Sequence, residues 1–158
     1  MIQIKLQKLS SGKNLSYSIV VKNRYEPISR GFIEQIGLYT PNTDKLKNKE
    51  TPTIFGDGEQ TRDFIYVSDV VEANMKAATT ETGTGQYFNI ATGNKITLNQ
   101  LLDTLCDIYN IDFKVNYSEM RKGDIKESYA TVDKANSMLK WKAAVELSQG
   151  LKILCESL

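Results

Sequence analysis

The 158-residue sequence contains no histidine, and it has only two cysteines, three prolines and one tryptophan. Without histidine, the chain cannot carry out histidine-based acid–base chemistry or form an ordinary zinc catalytic site. The two cysteines, Cys106 and Cys155, lie in helix-like stretches far apart in sequence. Two reduced and mostly buried thiols are therefore a better prediction than a disulfide or a metal site, and we expect no metal.

The sequence also lacks an apolar run long enough to cross a membrane, and its first residues have no apolar signal-peptide core. Lysine and arginine (20 residues) nearly balance aspartate and glutamate (19 residues), for a net charge of +1. Such a balance gives no general attraction to nucleic acid or to membranes, and we expect neither as a partner. A soluble, cytoplasmic protein is the expectation, with any anion site formed locally by a few arginines.

Short apolar strands alternate with amphipathic helices from Thr51 onward, which predicts an α/β fold with helices covering a sheet. Strands are predicted at residues 53–55, 64–67, 87–90 and 113–117. Helices are predicted at residues 69–79, 97–108 and 133–139 and in the C-terminal stretch 147–158.

The predicted helices begin at recognisable capping residues. Asp69 with Glu72, and Thr97 with Gln100, have the spacing of capping boxes, and Asp133 is predicted to cap the third helix. In the C-terminal helix, Gly150 is expected to be a weak point. Leucines at helical spacing mark the buried face of that helix: Leu147, Leu151, Leu154 and Leu158.

The first fifty residues have a less regular pattern. Residues 16–21 predict a short buried strand of the parallel-sheet kind. Glycines and a proline interrupt the stretch that follows, so residues 31–39 predict a broken helix and residues 44–50 a charged connector. The sequence has no Gly-rich dinucleotide fingerprint after a first strand and no Tyr-x-x-x-Lys pair.

Two segments hold arginines suited to an anion. Gly56-Asp57-Gly58 predicts a turn that brings backbone close to a ligand, and Arg62 offers a planar fork that fits phosphate. The alternative is a surface hairpin in which Arg62 pairs with Asp63 or Glu59.

The second segment is Arg121-Lys122-Gly123-Asp124. Its guanidinium could hold a diphosphate while its carboxylate accepts hydrogen bonds from a ribose diol. The alternative is a solvated loop in which Arg121 and Asp124 pair weakly with each other. Between these segments, residues 87–94 predict a strand and turn, and Thr97 is better explained as a helix cap than as a ligand.

Taken together, the segments resemble the C-terminal half of the extended short-chain dehydrogenase/reductase family, above all its NAD-dependent nucleotide-sugar epimerases of the UDP-glucose 4-epimerase type. Residues 56–70 match that family's pattern Gly-Asp-Gly-x-Gln-x-Arg-Asp-Phe-x-Tyr-Val-x-Asp-Val. Residues 87–101, 121–124 and 129–130 resemble its later motifs. Residues 139–143 depart from its Leu-Gly-Trp-x-Pro pattern, with Lys140 in place of glycine and Ala143 in place of proline. Upstream, residues 17–27 resemble its last core strand and Asn-x-Tyr-Gly-Pro loop, with Glu26 in place of glycine.

The resemblance implies a Rossmann-type enzyme of which this chain holds the substrate-binding part and lacks the N-terminal dinucleotide-binding core. Residues 1–50 would be a degraded remnant of the last Rossmann strand and the following loop and helix. Residues 51–158 would be the nucleotide-sugar-binding domain.

The resemblance also assigns roles to residues of this sequence. Arg62 and Arg121 would contact the diphosphate of a UDP-sugar from opposite sides, Asp124 would bind the uridine ribose, and Asn23 would add a hydrogen bond to the diphosphate. NAD would be the cofactor of the full-length family enzyme, with none expected to bind this chain alone. A second copy of the chain or the missing N-terminal part would be its protein partner.

Two classes of function remain open on the sequence. The chain is either part of an isomerase, inactive alone because the NAD fingerprint and the Tyr-x-x-x-Lys pair are missing, or a non-catalytic nucleotide-sugar-binding remnant. Within the enzyme class, the alternatives to 4-epimerisation are nucleotide-sugar 4,6-dehydration and UDP-glucuronate decarboxylation.

Overall fold

A computed structural model describes residues 2–11, 14–23, 51–80, 85–112 and 114–156, with the backbone alone for the first two ranges. These residues form two compact units, each made of separate stretches of chain. The first unit draws on residues 1–27, 63–94 and 129–145, and the second on residues 28–62, 95–128 and 146–158. Strands and helices occur in both units, so the α/β prediction is confirmed. The predicted boundary at residue 50 lies outside the described residues and stays a prediction.

The first unit contains a three-stranded sheet in the order β2-β1-β5. Its strands are β1 (Ile2–Ser11), β2 (Asn14–Asn23) and β5 (Tyr87–Ile90). Both neighbours of the central strand β1 run antiparallel to it. The alternation of Ile2, Ile4 and Leu6 with polar residues is the period-2 signal of a strand, although β1 was not predicted.

The strand predicted at residues 16–21 is present as part of the longer β2, but the parallel pairing predicted for it was wrong. Asn23, the last residue of β2, pairs with Ile2 of β1, and Ile2 also pairs with Ile90 of β5. A short connection favours antiparallel neighbours, because parallel strands need a long crossover. The predicted broken helix at 31–39 and the connector at 44–50 lie outside the described residues.

Helices α1 (Val67–Thr79) and α3 (Asp133–Leu139) complete the first unit. Helix α1 contacts β1, β2 and α3, and α3 also contacts β5. The helices bury small residues against aromatic rings, and Trp141 is only 1% exposed. This core consists of Ala73, Ala77, Phe88, Ile90, Ala135, Leu139 and Trp141.

The start of α1 differs from the prediction. Residues 64–66 are not a strand, and Val67 is already the first helical residue. The predicted capping box was wrong: Tyr66 is the N-cap and makes no side-chain capping bond. Asp69 is instead 3% exposed within the first turn, where its Oδ2 accepts a hydrogen bond from the N–H of Val145 at 3.1 Å. Glu72 forms an ion pair with Lys76 at 3.1 Å.

The second unit contains two short strand pairs. Strand β3 (Thr53–Phe55) runs parallel to β7 (Asn116–Ser118). Strand β4 (Thr61–Arg62) runs antiparallel to β6 (Ile96–Thr97). The strand predicted at 53–55 is confirmed, whereas the one predicted at 113–117 is shorter and shifted, and Phe113 lies outside the described residues.

Helix α2 (Leu98–Tyr109) of the second unit begins as the sequence predicts. The Thr97 side chain accepts from the N–H of Gln100, and the Gln100 side chain accepts from the N–H of Thr97, which confirms the capping box. The sequence predicts an apolar stripe of Leu98, Leu101, Leu102, Leu105 and Ile108 on this helix. The four leucines are buried, whereas Ile108 is half-buried.

Helix α4 (Leu147–Glu156) packs against α2. Gly150 was predicted to be a weak point of this helix. It is the residue of α4 that is buried, and a buried position on a packed helix favours a small residue. Leu147 and Leu151 are half-buried and Leu154 is 39% exposed, so the leucine stripe is only partly buried. Leu158 lies outside the described residues.

Two helices end at non-glycine residues in the left-handed region. Asn110 ends α2 with φ 50°, and Lys140 ends α3 with φ 51°. Helix α3 ends at Leu139 as predicted, but its N-cap is Val132, so Asp133 is the first helical residue and not the cap.

Candidate functional site

The turn that follows β3 depends on two glycines with positive φ. Gly56 has φ 87° and donates its N–H to the carbonyl of Ser118 at 2.9 Å. Gly58 has φ 78°, and a Cβ there would lie 2.1 Å from Oδ1 of Asn99. The Asn99 amide would have to move to admit a side chain at this position, and the positive φ of Gly58 itself favours glycine.

Arg62, the last residue of β4, is held by three polar contacts within the second unit. Its Nη2 donates to Oδ1 of Asp124 at 2.7 Å. Its Nη1 donates to the carbonyls of Thr61 at 2.8 Å and Ile125 at 2.6 Å. The side chains of the pair are 18% and 11% exposed, so this is a largely desolvated, charge-assisted contact.

The alternative pairing of Arg62 with Asp63 or Glu59 was wrong. Oε1 of Glu59 accepts a hydrogen bond from Nδ2 of Asn99 on α2 at 2.7 Å. Asp63, in the first unit, accepts from the N–H and the hydroxyl of Thr92 at 2.8 and 2.7 Å and from the N–H of Gly93 at 2.9 Å. Asp63 therefore fixes the turn that follows β5, a role that sequence reasoning missed.

A four-residue turn presents the second pair of predicted site residues. The N–H of Asp124 donates to the carbonyl of Arg121 at 3.1 Å, and Gly123 between them has φ 87°. Glycine is favoured at this third position because the turn needs a positive φ there. The turn directs the Asp124 carboxylate to Arg62, so the alternative in which Asp124 pairs with Arg121 was wrong.

Arg121 lies against an aromatic ring. Its guanidinium carbon is 4.0 Å from the ring centroid of Phe55, the last residue of β3, which is a cation–π contact. Sequence reasoning did not single out Phe55, although it directly precedes the glycine turn. The contact holds an exposed arginine in one place while leaving its N–H groups at the surface.

Residues 126–128 are joined to β4 by backbone and side-chain contacts. The N–H of Thr61 donates to the carbonyl of Lys126 at 2.8 Å, and the N–H of Ser128 donates to the carbonyl of Thr61 at 3.1 Å. Glu127 forms an ion pair with Lys95 at 2.7 Å. The hydrogen bond from Lys95, and then its charge, lower the pKa of Glu127. The loop that carries Arg121 and Asp124 is thus fastened to the strand that carries Arg62.

Asn23 is the one predicted site residue in the first unit. It ends β2, and its side chain is outside the described part of the structure. Its predicted hydrogen bond to a diphosphate therefore stays a prediction. The other three site residues, Arg62, Arg121 and Asp124, lie in the second unit.

The N-termini of α1 and α2 do not favour the diphosphate of a dinucleotide. At α2, the N–H of Asn99 donates to the carbonyl of Gly58 at 3.2 Å, and the N–H of Gln100 donates to the Thr97 hydroxyl at 3.0 Å. At α1, the buried Asp69 places a carboxylate in the first turn, where it disfavours an anion. We therefore derive no step through a dinucleotide cofactor from these residues.

Among residues 51–80, 85–112 and 114–156, no group of three or more metal-ligating side chains lies together. The helices that the structure describes are all too short or too polar to cross a membrane. Both cysteines are free thiols, as predicted, but they are half-buried and not mostly buried.

Comparisons with known proteins agree on one family. The family model described as GDP-mannose 4,6 dehydratase matches residues 16–154. The chain is 35% identical over 138 residues, 87% of its length, to a putative UDP-glucose 4-epimerase of Methanocaldococcus jannaschii. It resembles the structure of a UDP-glucose 4-epimerase of Thermotoga maritima with UDP-glucose, with a TM-score of 0.65, 40% identity and 72% of the chain covered. A UDP-glucuronic acid 4-epimerase from Bacillus cereus, with a substrate analogue and NAD, gives a TM-score of 0.64, 29% identity and 68% coverage.

The chain spans less than half of each of these proteins. It covers 42% of the Methanocaldococcus relative, and 36% and 35% of the Thermotoga and Bacillus chains. The similarity therefore concerns one part of a longer protein architecture.

Proposed function

Since the chain belongs to the extended short-chain dehydrogenase/reductase family of NAD-dependent epimerases and dehydratases, we propose that it supplies the nucleotide-sugar-binding part of a UDP-sugar 4-epimerase. The observation that carries this proposal is that Arg62 of β4 pairs with Asp124, which lies in the same turn as Arg121. The named relatives act on UDP-glucose or UDP-glucuronic acid, which supports UDP as the nucleotide.

The ion pair between Arg62 and Asp124 gives the two arginines different roles in the proposed site. Asp124 already offsets the charge of Arg62, and both N–H groups of the Arg62 Nη1 are used by carbonyls. Arg121 faces the ring of Phe55, and the structure gives it no carboxylate partner among the described residues. Arg121 should therefore attract the diphosphate more strongly than Arg62. Arg62 would mainly orient Asp124 toward the ribose and contribute through its remaining N–H groups.

This arrangement suits a reaction in which the nucleotide stays bound while the sugar changes its orientation. Binding energy from the nucleotide, remote from the reacting carbon, can hold the substrate without restricting the sugar. The residues of this chain would bind and orient the nucleotide sugar. The 4-epimerisation itself requires NAD and the Tyr–Lys pair of the family. The sequence has neither the dinucleotide fingerprint nor that pair, so we assign this chain no chemical step.

The second candidate is part of a 4,6-dehydratase, because the matching family model is that of GDP-mannose 4,6 dehydratase. The two candidates differ in nucleotide, since one takes a uracil base and the other a guanine base. A UDP-glucuronate decarboxylase part or a non-catalytic remnant would bind the same nucleotide as the epimerase part. Affinity for UDP over GDP separates the first two candidates.

We expect the purified chain to bind UDP more tightly than GDP or NAD in a calorimetric titration. Arg121→Ala should weaken UDP binding by about ten- to a hundredfold, because a charge-assisted hydrogen bond to phosphate contributes roughly 1.5–3 kcal/mol. Arg121→Lys should restore little, because a point charge does not reproduce the bidentate fork. Lys122→Ala is the matched control: it removes the neighbouring exposed positive charge from the same turn.

The titration also has outcomes that would contradict the proposal. Tighter binding of NAD than of UDP would show that the site is not a nucleotide-sugar site. An equal loss of affinity in Lys122→Ala and Arg121→Ala would show that UDP responds only to the positive charge of the turn and not to a specific contact with Arg121. Asp124→Ala should lower the ratio of UDP affinity to pyrophosphate affinity, because it removes the ribose contact and releases the charge of Arg62.

A further inference from the structure

Asn99, in the first turn of α2, makes polar contacts with two other segments of the second unit. Its backbone N–H donates to the carbonyl of Gly58 at 3.2 Å. Its side-chain Nδ2 donates to the carbonyl of Asp57 at 3.1 Å and to Oε1 of Glu59 at 2.7 Å. Its Oδ1 accepts a hydrogen bond from the hydroxyl of Tyr117 on β7 at 3.2 Å. One residue of α2 thus holds both the glycine turn and β7.

The side-chain amide of Asn99 suits these partners in one orientation. Its Nδ2 has two acceptors and its Oδ1 has a donor, so both polar atoms of the amide are used. An amide turned the other way would place Oδ1 against a carbonyl oxygen and the carboxylate of Glu59. A carboxylate at this position would meet the same two oxygens without a donor. The contacts therefore require a side chain that donates on one side and accepts on the other.

The two segments that Asn99 joins carry the two members of the cation–π contact. Phe55 ends β3, two residues before Asp57, and Arg121 follows β7, four residues after Tyr117. Strands β3 and β7 pair over three residues only, so the positions of the segments beyond the strand ends depend on further contacts. The hydrogen bonds of Asn99 are such contacts. They hold the segment of the ring and the segment of the guanidinium to the same point on α2.

We propose that Asn99 is a positioning residue for the nucleotide site, which keeps the Arg121 guanidinium against the ring of Phe55. This inference rests on the proposed function, in which Arg121 binds the diphosphate. Asn99 makes no contact with the ligand in this role and acts through Arg121. Without its side chain, the guanidinium would occupy more positions, and ordering it against a phosphate would cost more conformational entropy.

The first test follows the cation–π contact by NMR and needs no nucleotide. The ring current of Phe55 shifts the Nε–H and δ protons of Arg121 upfield, and Phe55→Leu gives their shifts without the ring. We expect Asn99→Ala to move these shifts about half of the way to the Phe55→Leu values, or further. Tyr117→Phe removes only the hydroxyl donor and should move them less, in the same direction. Asp103→Ala, at an exposed residue one turn later on α2, is the control and should leave them unchanged.

A reversed hydrogen bond between Asn99 and Glu59 separates positioning from a general loss of stability. Asn99→Asp places two carboxylates against each other, and we expect it to move the Arg121 shifts as far as Asn99→Ala does. Adding Glu59→Gln supplies a donor to the new carboxylate and restores the net charge of the chain. The double variant should therefore return the shifts part of the way to the wild-type values. Unchanged shifts in both Asn99→Ala and Tyr117→Phe would overturn the proposal.

The second test measures UDP affinity by calorimetry in a double-mutant cycle. Asn99→Ala should weaken UDP binding by about three- to tenfold in the wild-type chain. In the Arg121→Ala chain the same substitution should have no further effect, because Asn99 acts through the guanidinium. Equal losses in the two chains would overturn the proposal. A wild-type chain that binds no UDP would contradict the proposed function, while the NMR shifts would still decide whether Asn99 positions Arg121.

Discussion

At the scale of single residues, most polar side chains of the motif at residues 56–70 whose contacts are known hold the local fold, and Arg62 also belongs to the proposed site. Gln60 is 4% exposed and donates from Nε2 to the carbonyl of Phe55 at 2.7 Å. Asp63 accepts hydrogen bonds from Thr92 and Gly93. Arg62 has a structural role, since it joins β4 to the loop of Asp124, and in the proposed site it would orient that carboxylate. A motif that looks like a binding signature is thus in large part a description of local structure.

The residue Lys140 gives a prediction about stability. The family pattern has glycine at this position, and Lys140 has φ 51° at the end of α3. A non-glycine residue in the left-handed region destabilises the folded state by about 1–2 kcal/mol. Glycine destabilises the protein by roughly 0.4–1 kcal/mol, because it gives the unfolded chain more conformational entropy. Lys140→Gly should therefore raise the free energy of unfolding by about 0.5–1 kcal/mol in urea denaturation. Its carbonyl, which accepts from Nζ of Lys76 at 3.0 Å, is retained.

The control for this prediction is Lys142→Gly. Lys142 is also exposed and carries the same charge, but it is not among the described residues with positive φ. Its replacement should leave stability unchanged or lower it. A loss of stability in Lys140→Gly equal to that in Lys142→Gly would contradict the explanation.

At the scale of elements, the packing of α2 on α4 contains a tyrosine that is sensitive to alkaline pH. Burial, and then a hydrogen bond with Cys155 on α4, raise the pKa of Tyr109 from 10.0 to about 12. A raised pKa in the folded state means that the neutral phenol is favoured by folding. Its contribution to stability is complete below pH 10 and is lost as the pH rises from 10 through about 12.

We expect Tyr109→Phe to remove this part of the alkaline loss of stability. Urea denaturation between pH 10 and 12 should show a steeper fall for the wild-type chain than for Tyr109→Phe. Cys155→Ala should lower the pKa of Tyr109, measured by phenolate absorbance, without returning it to 10.0, because burial is the larger cause. Identical slopes for the wild type and Tyr109→Phe would show that the contact has no effect on stability.

At the scale of the whole molecule, the chain combines a proposed nucleotide site with a sequence that has neither the dinucleotide fingerprint nor a Tyr-x-x-x-Lys pair. The turn and arginines of the second unit are present, whereas the N–H groups at the start of α2 are already used within the protein. The chain also covers about two fifths of the length of its Methanocaldococcus relative. The proposed function therefore predicts that this chain binds the nucleotide without acting on the sugar.

We expect the chain alone to bind UDP-glucose without converting it to UDP-galactose when NAD is added. Binding would come from Arg121 and Asp124, and conversion would need residues that the sequence lacks. Chromatography of the nucleotide sugars after long incubation measures the conversion of UDP-glucose to UDP-galactose. The Thermotoga UDP-glucose 4-epimerase serves as the active reference. Conversion above background by the chain alone would refute the division between binding and chemistry.

The sequence by itself determined the features that depend on neighbouring residues. The capping box of Thr97 and Gln100, the buried leucines of α2 and the strand at Tyr87–Ile90 follow from local hydrogen bonding and periodicity. The family resemblance also followed from short motifs, and the match of residues 16–154 confirmed it.

Only the tertiary structure decided which distant residues meet. The sequence offered Arg62 the nearby carboxylates Asp63 and Glu59, but the partner is Asp124, 62 residues away. The sequence also predicted that Asp69 caps a helix, but its carboxylate accepts a hydrogen bond from the N–H of Val145, 76 residues away. The physical reason is that a buried charge takes the partner that folding brings within hydrogen-bond distance, and chain proximity does not fix that partner.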